Sequence, residues 1–381
     1  MKLTMWNTEW LDSSWGVVSG KYQPGQHVFP HKVPSMAEAE NRLAGVAALI
    51  ERMQPDILFL CEAPKGEDEM RGFTEKILPD YDLVTRPAGE NYFVEGRQWL
   101  WFLVRKAVAD RISPDLLPIT TWRTFAAEAD DSISIKGKWK VAAPRLETVG
   151  GVKDVPVSKR LNHEFYREPQ VLRFQFGGAQ HEVIGAHLKS KFTGESPRKR
   201  KADEDFDDYI KSSKTIRRFM AKAHEARVKL SSEASYIRAY IDHRFSQEAD
   251  PSLFVVGDLN DGPGKELMEK QYLLHDLISN LQGEVFFARK YLNHALFDQP
   301  DELRWTARFK DPIDPARSEF ILLDHILFTQ ALTRSGTSPL VAKSKSGLVE
   351  HLAFEETEAL FGKGMLSDHR PVSITLEPRI S

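Results

Sequence analysis

The stretch Asp56-Ile57-Leu58-Phe59-Leu60-Cys61-Glu62 is a short, nearly all-apolar run between two carboxylates. An unbroken apolar run of this length is typical of a β-strand that is buried on both faces of its sheet. Upstream, the capping-box pattern of Ser35 and Glu38 begins a segment in which apolar residues recur at helical spacing. Residues 2–9 alternate between apolar and polar side chains, which predicts a first strand. The chain therefore opens as strand, loop, helix and strand, and a polar residue, Asn7 or Glu62, stands at the end of each strand.

The rest of the chain contains further apolar runs, separated by segments of different kinds. The predicted strands are Trp99–Arg105, Gln170–Phe176, Glu182–His187, Leu253–Asp258, Phe320–Thr329 and Pro371–Glu377. Residues 12–34 are rich in Gly, Pro and Ser, which predicts a loop, and Gly177-Gly178 marks a hairpin. Apolar residues keep helical spacing over 216–245, which predicts one long helix or two in tandem. Residues 112–165 predict an extra hairpin or a long loop.

Composition and charge exclude several classes of protein. The 381 residues are 41% hydrophobic and 28% charged, which excludes wholesale disorder. No run approaches the roughly 18 apolar residues of a membrane helix, and the N-terminus lacks the apolar segment of a signal peptide. The single cysteine, Cys61, cannot form an internal disulfide or a thiolate metal cluster, so we expect a reducing, cytoplasmic location. The net charge of −3 means that any binding of nucleic acid needs a local basic face.

Polar side chains stand at or just beyond the C-terminal ends of the predicted strands. Loops at strand ends converge on one crevice in α/β sheets, so we expect these side chains to share a site. Carboxylate and amide oxygens suit magnesium or manganese, and two histidines with separate carboxylates suit acid–base work. The residues are Asn7, Glu62, His187, Asp258 with Asn260, Asp324, and Asp368 with His369.

Each of these features alone has an ordinary structural explanation. A glutamate that closes a strand, such as Glu62, is usually a surface or capping residue. The segment Gly257-Asp258-Leu259-Asn260 is also compatible with an Asx-type turn. A lone His187 in a strand is more often a core histidine whose hydrogen bonds are satisfied. The interpretation as one site therefore depends on the joint order of the motifs along the chain.

That order resembles a known family. The segments that carry the resemblance are Trp6-Asn7, Leu60-Cys61-Glu62, Arg167-Glu168-Pro169, His187-Leu188, Gly257-Asp258-Leu259-Asn260, Leu323-Asp324 and Ser367-Asp368-His369-Arg370-Pro371. They resemble the motif series of the endonuclease/exonuclease/phosphatase superfamily, which includes pancreatic-type deoxyribonucleases, abasic-site endonucleases, inositol-polyphosphate phosphatases and neutral sphingomyelinases. The resemblance implies an α/β (α+β) fold, a four-layered sandwich of two mostly antiparallel β-sheets flanked by helices. It also implies a single domain over 1–381, with insertions near 112–165 and 190–250.

The resemblance implies a metal site and a histidine–carboxylate pair. Glu62 would bind a catalytic Mg²⁺, for which Mn²⁺ would substitute, and Asp368 and Asn7 would lie near the ion. The metal would stabilise charge that develops on the phosphoryl group. His369, oriented by Asp324, would contact the scissile phosphate.

The remaining motif residues would act on water and phosphate. Asp258 would orient or deprotonate the attacking water, and Asn260 would hold that water or a phosphate oxygen. His187 would bind phosphate or protonate the leaving group, and Arg167 would clamp a phosphate with its guanidinium fork. In the deoxyribonucleases a glutamate orients the first of the two histidines, whereas Gln98 stands at that position here. The sequence therefore predicts that His187 lacks a carboxylate partner.

Three further features each allow two interpretations. Lys189 and Lys191 either contact phosphate or belong to a solvated strand end. Trp305 either packs in the core or at the rim, or forms a substrate wall on which a base stacks. The charged segment 194–208 is either a solvated loop whose charges cancel or a lid over a phosphate-bearing substrate.

The leading functional hypothesis is a magnesium-dependent phosphodiesterase that hydrolyses nucleic acid, with DNA as the first candidate substrate. Under this hypothesis the enzyme needs no membrane and no obligate protein partner. Arg167-Glu168-Pro169 and the lysines near His187 favour it, and the negative net charge stands against it. One alternative is a phosphoesterase for a small or lipid-linked phosphate, whose lipid branch is weakened because no strong apolar membrane-facing segment is present. Another is an inactive relative that serves as a binding module, although the full set of site residues argues against this.

Overall fold

Two β-sheets form the centre of the molecule. The computed structural model describes residues 1–28, 31–123, 138–263, 266–272 and 274–380. The strands are β1 Lys2–Asn7, β2 His27–Val28, β3 His31–Lys32, β4 Ile57–Ala63, β5 Tyr81–Val84, β6 Trp99–Arg105, β7 Asp115–Leu116, β8 Lys138–Val149, β9 Val152–Glu164, β10 Gln170–Phe176, β11 Ala179–His187, β12 Ser252–Asp258, β13 Asn293–His294, β14 Ala307–Arg308, β15 Phe320–Ile321, β16 Asp324–Phe328, β17 Leu340–Ala342, β18 Leu348–Val349 and β19 Val372–Pro378.

Helices lie outside both sheets. The α-helices are α1 Leu11–Val18, α2 Met36–Met53, α3 Glu67–Ile77, α4 Lys106–Ile112, α5 Phe206–Lys211, α6 Lys214–Gln247, α7 Leu267–Gln271, α8 Leu277–Gln282 and α9 His351–Phe361, and short 3-10 segments lie at Val285–Lys290, Asp301–Leu303 and Gln330–Leu332. Apolar side chains of α1, α2, α3 and α9 share one core cluster with the first sheet. Those of α6 and α8 share a second cluster with the other sheet. No helix in the described parts of the chain is both long enough and apolar enough to cross a membrane.

The strand order confirms the expected fold class. The first sheet runs β17-β19-β1-β4-β6-β5, with β18 paired to β19, and the second runs β13-β16-β12-β11-β10-β7. Among the described strands, each sheet holds one parallel pair, β1 with β4 and β11 with β12, and the other pairs are antiparallel. The result is a sandwich of two mostly antiparallel sheets flanked by helices.

The two sheets approach each other closely at β11. A Cβ atom on Gly185 would lie 2.3 Å from the ring of Phe59 in β4 and 2.8 Å from that of Phe102 in β6. The absence of a side chain at this position lets the aromatic rings of the first sheet sit directly on the backbone of the second. Every residue of β4 is buried, as its unbroken apolar sequence predicted.

The helix predictions are largely confirmed. Ser35 caps α2 in a reciprocal capping box with Glu38, and the helix ends before Pro55. The apolar spacing over 216–245 belongs to one helix of 34 residues, α6, and not to two in tandem. Along its length α6 buries Leu230, Ala234, Ile237 and Ile241 against the second sheet.

Two local predictions were wrong. Residues 12–34 do not form only a loop, because α1 occupies Leu11–Val18. Trp15 packs edge-on against Phe73, with 5.7 Å between the ring centroids, and its indole donates to Glu69 Oε2 at 2.9 Å. These tertiary contacts stabilise a helix that the local composition disfavours. The strand predicted over Phe320–Thr329 is broken into β15, which pairs with β14, and β16, which belongs to the second sheet.

A long hairpin, β8–β9, lies in the region where an extra hairpin or loop was predicted. It packs against α6, and the indole of Trp139 donates to Ser232 Oγ at 3.0 Å. The part of that prediction that falls on residues 124–137 lies outside the described residues. The hairpin and α6 together build a wall beside the loop that follows β11.

Candidate active site

Three strands of the second sheet carry polar residues on the same rung. His187 pairs with Asp258 in the register of β11 and β12, and Asp258 pairs with Asp324 in the register of β12 and β16. Side chains on one rung of neighbouring strands lie next to each other. His187 Nε2 accordingly lies 3.4 Å from Asp258 Oδ2. The sheet register therefore brings together residues that are far apart in sequence.

The first sheet contributes Asn7 and Glu62 to the same place. Asn7 ends β1, and its amide nitrogen donates to Asp258 Oδ2 at 2.8 Å and to Glu62 Oε1 at 3.3 Å. One amide thus joins a carboxylate from each sheet. The site lies where the ends of the two sheets meet.

The backbone at the site adopts uncommon conformations. Glu62 has a φ of 59° within an irregularity of the β4–β6 register, and Asn260 has a φ of 53°. Positive φ values are uncommon for residues other than glycine and cluster at functional sites. Gly257, which precedes Asp258, has a φ of 146°, and a Cβ there would lie 1.7 Å from the carbonyl oxygen of Ala186. Only glycine fits this approach between β11 and β12.

Asp324 and His369 form a buried pair. His369 Nδ1 lies 2.7 Å from Asp324 Oδ2, and the backbone of His369 is held by the indole of Trp6, which donates to its carbonyl oxygen at 3.0 Å. Burial alone would lower the pKa of His369, but the carboxylates of Asp324 and Asp258 outweigh it and raise the pKa well above its ordinary value. The imidazole is therefore cationic near neutral pH, with Nε2 directed to the side of Asp258, 4.0 Å from its carboxylate.

Asp258 lies at the centre of the cluster. Burial raises the pKa of its carboxyl group, and the nearby Asp324 adds to the increase, while His369 opposes it. Its Oδ1 accepts a hydrogen bond from the backbone of Asn260 at 2.9 Å, and the amide of Asn260 donates to the carbonyl of Leu188 at 3.0 Å. A carboxyl group with a raised pKa exchanges protons more readily near neutral pH.

His187 is arranged differently from His369. Its Nδ1 is buried without a hydrogen-bond partner in the described part of the chain, but its Nε2 lies 3.4 Å from Asp258 Oδ2, so the predicted lack of a carboxylate partner applies to Nδ1 alone. Burial lowers the pKa of His187 well below its ordinary value, and the charges of Arg167 and His369 lower it further. His187 is therefore a neutral imidazole between two carboxylates, Glu62 and Asp258.

Arg167 supports the backbone of this histidine. Its Nε donates to the carbonyl of His187 at 3.2 Å, its Nη2 to the carbonyl of Leu188 at 3.2 Å, and its Nη1 to Gln98 Oε1 at 2.7 Å. All three nitrogens have acceptors within the protein. The structure brings Arg167 to the site, but beneath the loop and not as a free guanidinium.

A group of carboxylates lies beside Glu62, and Glu9 is a member that the sequence analysis missed. Glu9 Oε2 accepts a hydrogen bond from the backbone of Asp368 at 2.9 Å. Burial raises the pKa of Glu9, and the charge of Asp368 raises it further. The guanidinium of Arg42, also missed, binds the carbonyls of Thr8, Glu9 and Leu366. Glu9 follows Asn7, the last residue of β1, by two positions, and this proximity in the sequence was the signal that could have identified it.

These carboxylates have the chemistry of a site for a hard divalent cation. The charges of Asp368 and Glu62 both raise the pKa of Glu9, and the side chain of Asp368 is 65% exposed, so a cation can reach it from solvent. Oxygen donors of this type are the ligands that Mg²⁺ and Mn²⁺ prefer. The residues present therefore fit the metal that the resemblance implied.

Lys191 does not join this cluster. Its side chain is 17% exposed, and its ammonium lies among three buried carboxylates, those of Asp261, Glu266 at 2.8 Å and Glu269 at 3.3 Å. Arg227 and Arg317 pair with Glu266 as well. Lys191 therefore takes part in an internal network of ion pairs that connects the loop after β11 to α6. This structural role replaces the phosphate contact that the sequence suggested.

The other predicted features lie around the site. Lys189 donates from its ammonium to the carbonyl of Ser190 and borders a cleft next to the site. Trp305 is half-buried at the rim, with Arg370 over its ring at 4.3 Å and Phe320 against it at 4.7 Å, which favours the rim-packing interpretation. In segment 194–208, Arg198 pairs with Glu204, which favours a loop whose charges cancel.

The internal role of Lys191 can be tested by stability. Replacing it with methionine is expected to lower the free energy of unfolding by about 3–5 kcal/mol, because three buried carboxylates would lose their shared cation. The matched control, Lys199→Met in the exposed part of the charged segment, is expected to change stability by less than about 0.5 kcal/mol. Urea denaturation followed by fluorescence measures both. Unchanged stability of Lys191→Met, together with weaker binding of nucleic acid, would restore the phosphate-contact interpretation.

The fold and the site define a two-sheet sandwich with a histidine–carboxylate cluster where the ends of its sheets meet, which is the architecture implied by the resemblance to the endonuclease/exonuclease/phosphatase superfamily. Similar solved structures include TDP2 from C. elegans, at 14% identity and a TM-score of 0.46 over 98% of this chain and 74% of that one. The endonuclease/exonuclease/phosphatase from Bacteroides vulgatus is 11% identical, with a TM-score of 0.45 over 99% of this chain and 98% of that one. The human Nocturnin catalytic domain is 15% identical, with a TM-score of 0.43 over 99% of this chain and 94% of that one. No family model and no curated protein matches the sequence. Similarities of this size concern the overall fold alone.

Proposed function

We propose that this chain is a metal-dependent phosphodiesterase that hydrolyses phosphodiester bonds of nucleic acid. The observation that carries the proposal is the pair of Asp324 and His369, 2.7 Å apart, which faces Asp258 beside a group of carboxylates. The arrangement offers a fixed cation for a phosphate oxygen and a proton acceptor for a water molecule. Hydrolysis of a phosphodiester needs both.

His369 would bind the scissile phosphate. Asp324 holds Nδ1, so the proton on Nε2 is free to be donated to a phosphate oxygen. The positive charge of the imidazolium would stabilise the negative charge that grows on the phosphoryl oxygens. Asp324 acts through His369 and is a positioning residue.

Asp258 would accept the proton of the attacking water. Its raised pKa makes the carboxylate a better base than an exposed aspartate, and its two oxygens are oriented by the amide of Asn7 and the backbone of Asn260. The side chain of Asn260, held at the carbonyl of Leu188, would limit the positions that the water can take. The neutral His187 would hydrogen-bond to a phosphate or leaving-group oxygen, while Arg167 keeps its backbone in place.

A divalent cation would be held by Glu62, with Asp368, Glu9 and Asn7 close to it. When bound, Mg²⁺ would supply Lewis-acid polarisation of a phosphoryl oxygen. The protein holds these carboxylates in place before the ion binds. The backbone of Trp10 donates to Glu62 Oε2 at 3.0 Å and fixes the side chain that would bind the ion.

A panel of substrates with purified protein and magnesium tests the proposal. It contains plasmid, single-stranded DNA, RNA, a duplex with an abasic site, and bis-nitrophenyl phosphate. We expect nicking or degradation of nucleic acid as well as slow hydrolysis of the small diester, because the site acts on the phosphodiester group itself. Hydrolysis of small esters alone would favour the phosphoesterase for small or lipid-linked phosphates. No hydrolysis of any diester with either metal would favour an inactive binding module.

A further inference from the structure

A basic cleft opens beside the candidate active site. It has a volume of about 590 Å³ and lies between strand β8, the loop after β11 and the first half of α6. Its cationic side chains are Arg145, Lys189, Arg218, Lys222 and Lys229. None of the catalytic roles proposed above uses this cleft.

The cleft begins next to the catalytic residues. Lys189 follows His187 by two positions, so their Cα atoms lie within about 7 Å of each other. Arg167 holds the carbonyls of both His187 and Leu188, which fixes the backbone that leads from the site into the cleft. The backbone of Lys189 is held in turn by Glu233 of α6 at 2.7 Å. A substrate chain that leaves the scissile phosphate on this side would pass Lys189, which borders the cleft.

The charge of the cleft is positive, although the protein carries a net charge of −3. Five cationic side chains face two carboxylates, those of Glu195 and Glu225. Glu195 pairs with Lys222 at 2.7 Å, and Glu225 is shared between Arg145 at 3.1 Å and Lys229 at 2.7 Å, so the two carboxylates leave three of the five positive charges uncompensated. Positive charge concentrated in a cleft raises the local concentration of a polyanion and speeds its association.

Phe192 adds an aromatic surface to the same cleft. Its side chain is 72% exposed, and it stands in the loop between β11 and α5. Proteins that bind single-stranded nucleic acid combine a basic groove, whose cations contact phosphates, with aromatic side chains on which bases stack, and this cleft has both features. An exposed ring favours a single strand over a duplex, because the bases of a duplex are already stacked on one another.

We propose that this cleft binds a single-stranded segment of nucleic acid that flanks the bond to be cleaved. The inference rests on the proposed function and extends it by naming the form of the substrate. The insert formed by hairpin β8–β9 and helix α6 then gives the enzyme its preference for unpaired nucleic acid.

Binding measured without turnover tests this inference. The probe is a fluorescein-labelled single-stranded oligonucleotide of twelve nucleotides in EDTA, and its anisotropy gives the affinity as a function of salt concentration. The variants are Phe192→Ala and the double variant Arg218→Ala with Lys222→Ala. The matched controls are Phe286→Ala, whose ring is 93% exposed elsewhere, and Arg52→Ala, whose guanidinium pairs with Glu356 at 2.7 Å on another face.

We expect Phe192→Ala to weaken binding about tenfold, as loss of one stacked base does. The double variant should reduce the log–log dependence of affinity on salt by about 1.4, since each neutralised phosphate of a single strand contributes about 0.7. The controls should bind as the unaltered protein does. Unfolding temperatures of all variants confirm that they are folded.

The outcomes separate the inference from the proposed function. If the cleft variants bind the oligonucleotide like the unaltered protein, while that protein hydrolyses bis-nitrophenyl phosphate, the inference is wrong and the proposed function stands. Tighter binding of a duplex than of the single strand also overturns the inference. Failure of the unaltered protein to hydrolyse any diester overturns the proposed function, whatever the cleft binds.

Discussion

Replacing His369 with alanine is expected to lower the turnover of a phosphodiester by about 10²–10⁴-fold. The variant loses the cationic donor that would face the scissile phosphate, whereas the carboxylates beside it remain. Steady-state hydrolysis of bis-nitrophenyl phosphate measures the effect on the chemistry without a contribution from binding of an extended chain. The exposed His275 provides a matched control, since His275→Ala removes an imidazole that takes no part in this cluster.

A second prediction concerns the pairing of Asp324 with His369. Asp324→Asn should reduce turnover mainly through the histidine, because the carboxylate holds Nδ1 and raises the pKa of the imidazole. The double variant should then be little slower than His369→Ala, since residues that act as a unit have non-additive effects. Losses that multiply fully would show that the two residues act separately.

Removal of divalent cations is expected to abolish hydrolysis. EDTA should stop turnover, and Mg²⁺ or Mn²⁺ should restore it, because carboxylates gathered around Glu62 need a hard cation to act on phosphate. Glu62→Gln keeps the shape of the side chain and removes its charge, so it should weaken the binding of Mg²⁺ measured by calorimetry and raise the Mg²⁺ concentration needed for activity. Glu40→Gln on the exposed face of α2 is the matched control. Full activity in the presence of chelator would contradict a metal-dependent mechanism.

Local patterns in the sequence were sufficient for most of the secondary structure. The strands Trp99–Arg105 and Gln170–Phe176 have the predicted bounds, because buried strands require unbroken or alternating apolar residues over a short length. Helix α1 could not be found in this way. Its sequence contains serines and a glycine, and it is stabilised by the burial of Trp15 against Phe73, a contact between residues 58 positions apart.

Residue type and position at strand ends predicted most of the candidate site. The prediction failed where the role of a residue depends on its contacts in the folded chain. Asn7, Glu62, Asp258 and His369 all meet at the ends of the two sheets, as their positions at strand ends suggested. Lys191 resembles a phosphate-binding lysine in the sequence, yet carboxylates 70 to 78 positions away enclose its ammonium. Whether a cation is free to bind substrate depends on neighbours that no local pattern specifies.

The amino-acid pattern alone decides most of the strands, the helical segment over 216–245 and the set of polar residues that end the strands, because each follows from the local period of apolar side chains and from the chemistry of single residues. The tertiary structure decides which of those residues face one another. The register of β11, β12 and β16 sets His187, Asp258 and Asp324 on one rung, and packing of the two sheets brings Asn7 to the same point. It also decides which cations remain available, since carboxylates enclose Lys191 while Arg218 lines the cleft beside α6 with an exposed side chain. The physical reason is that pairing, burial and charge neutralisation depend on distances between segments, and those distances exist only once the chain has folded.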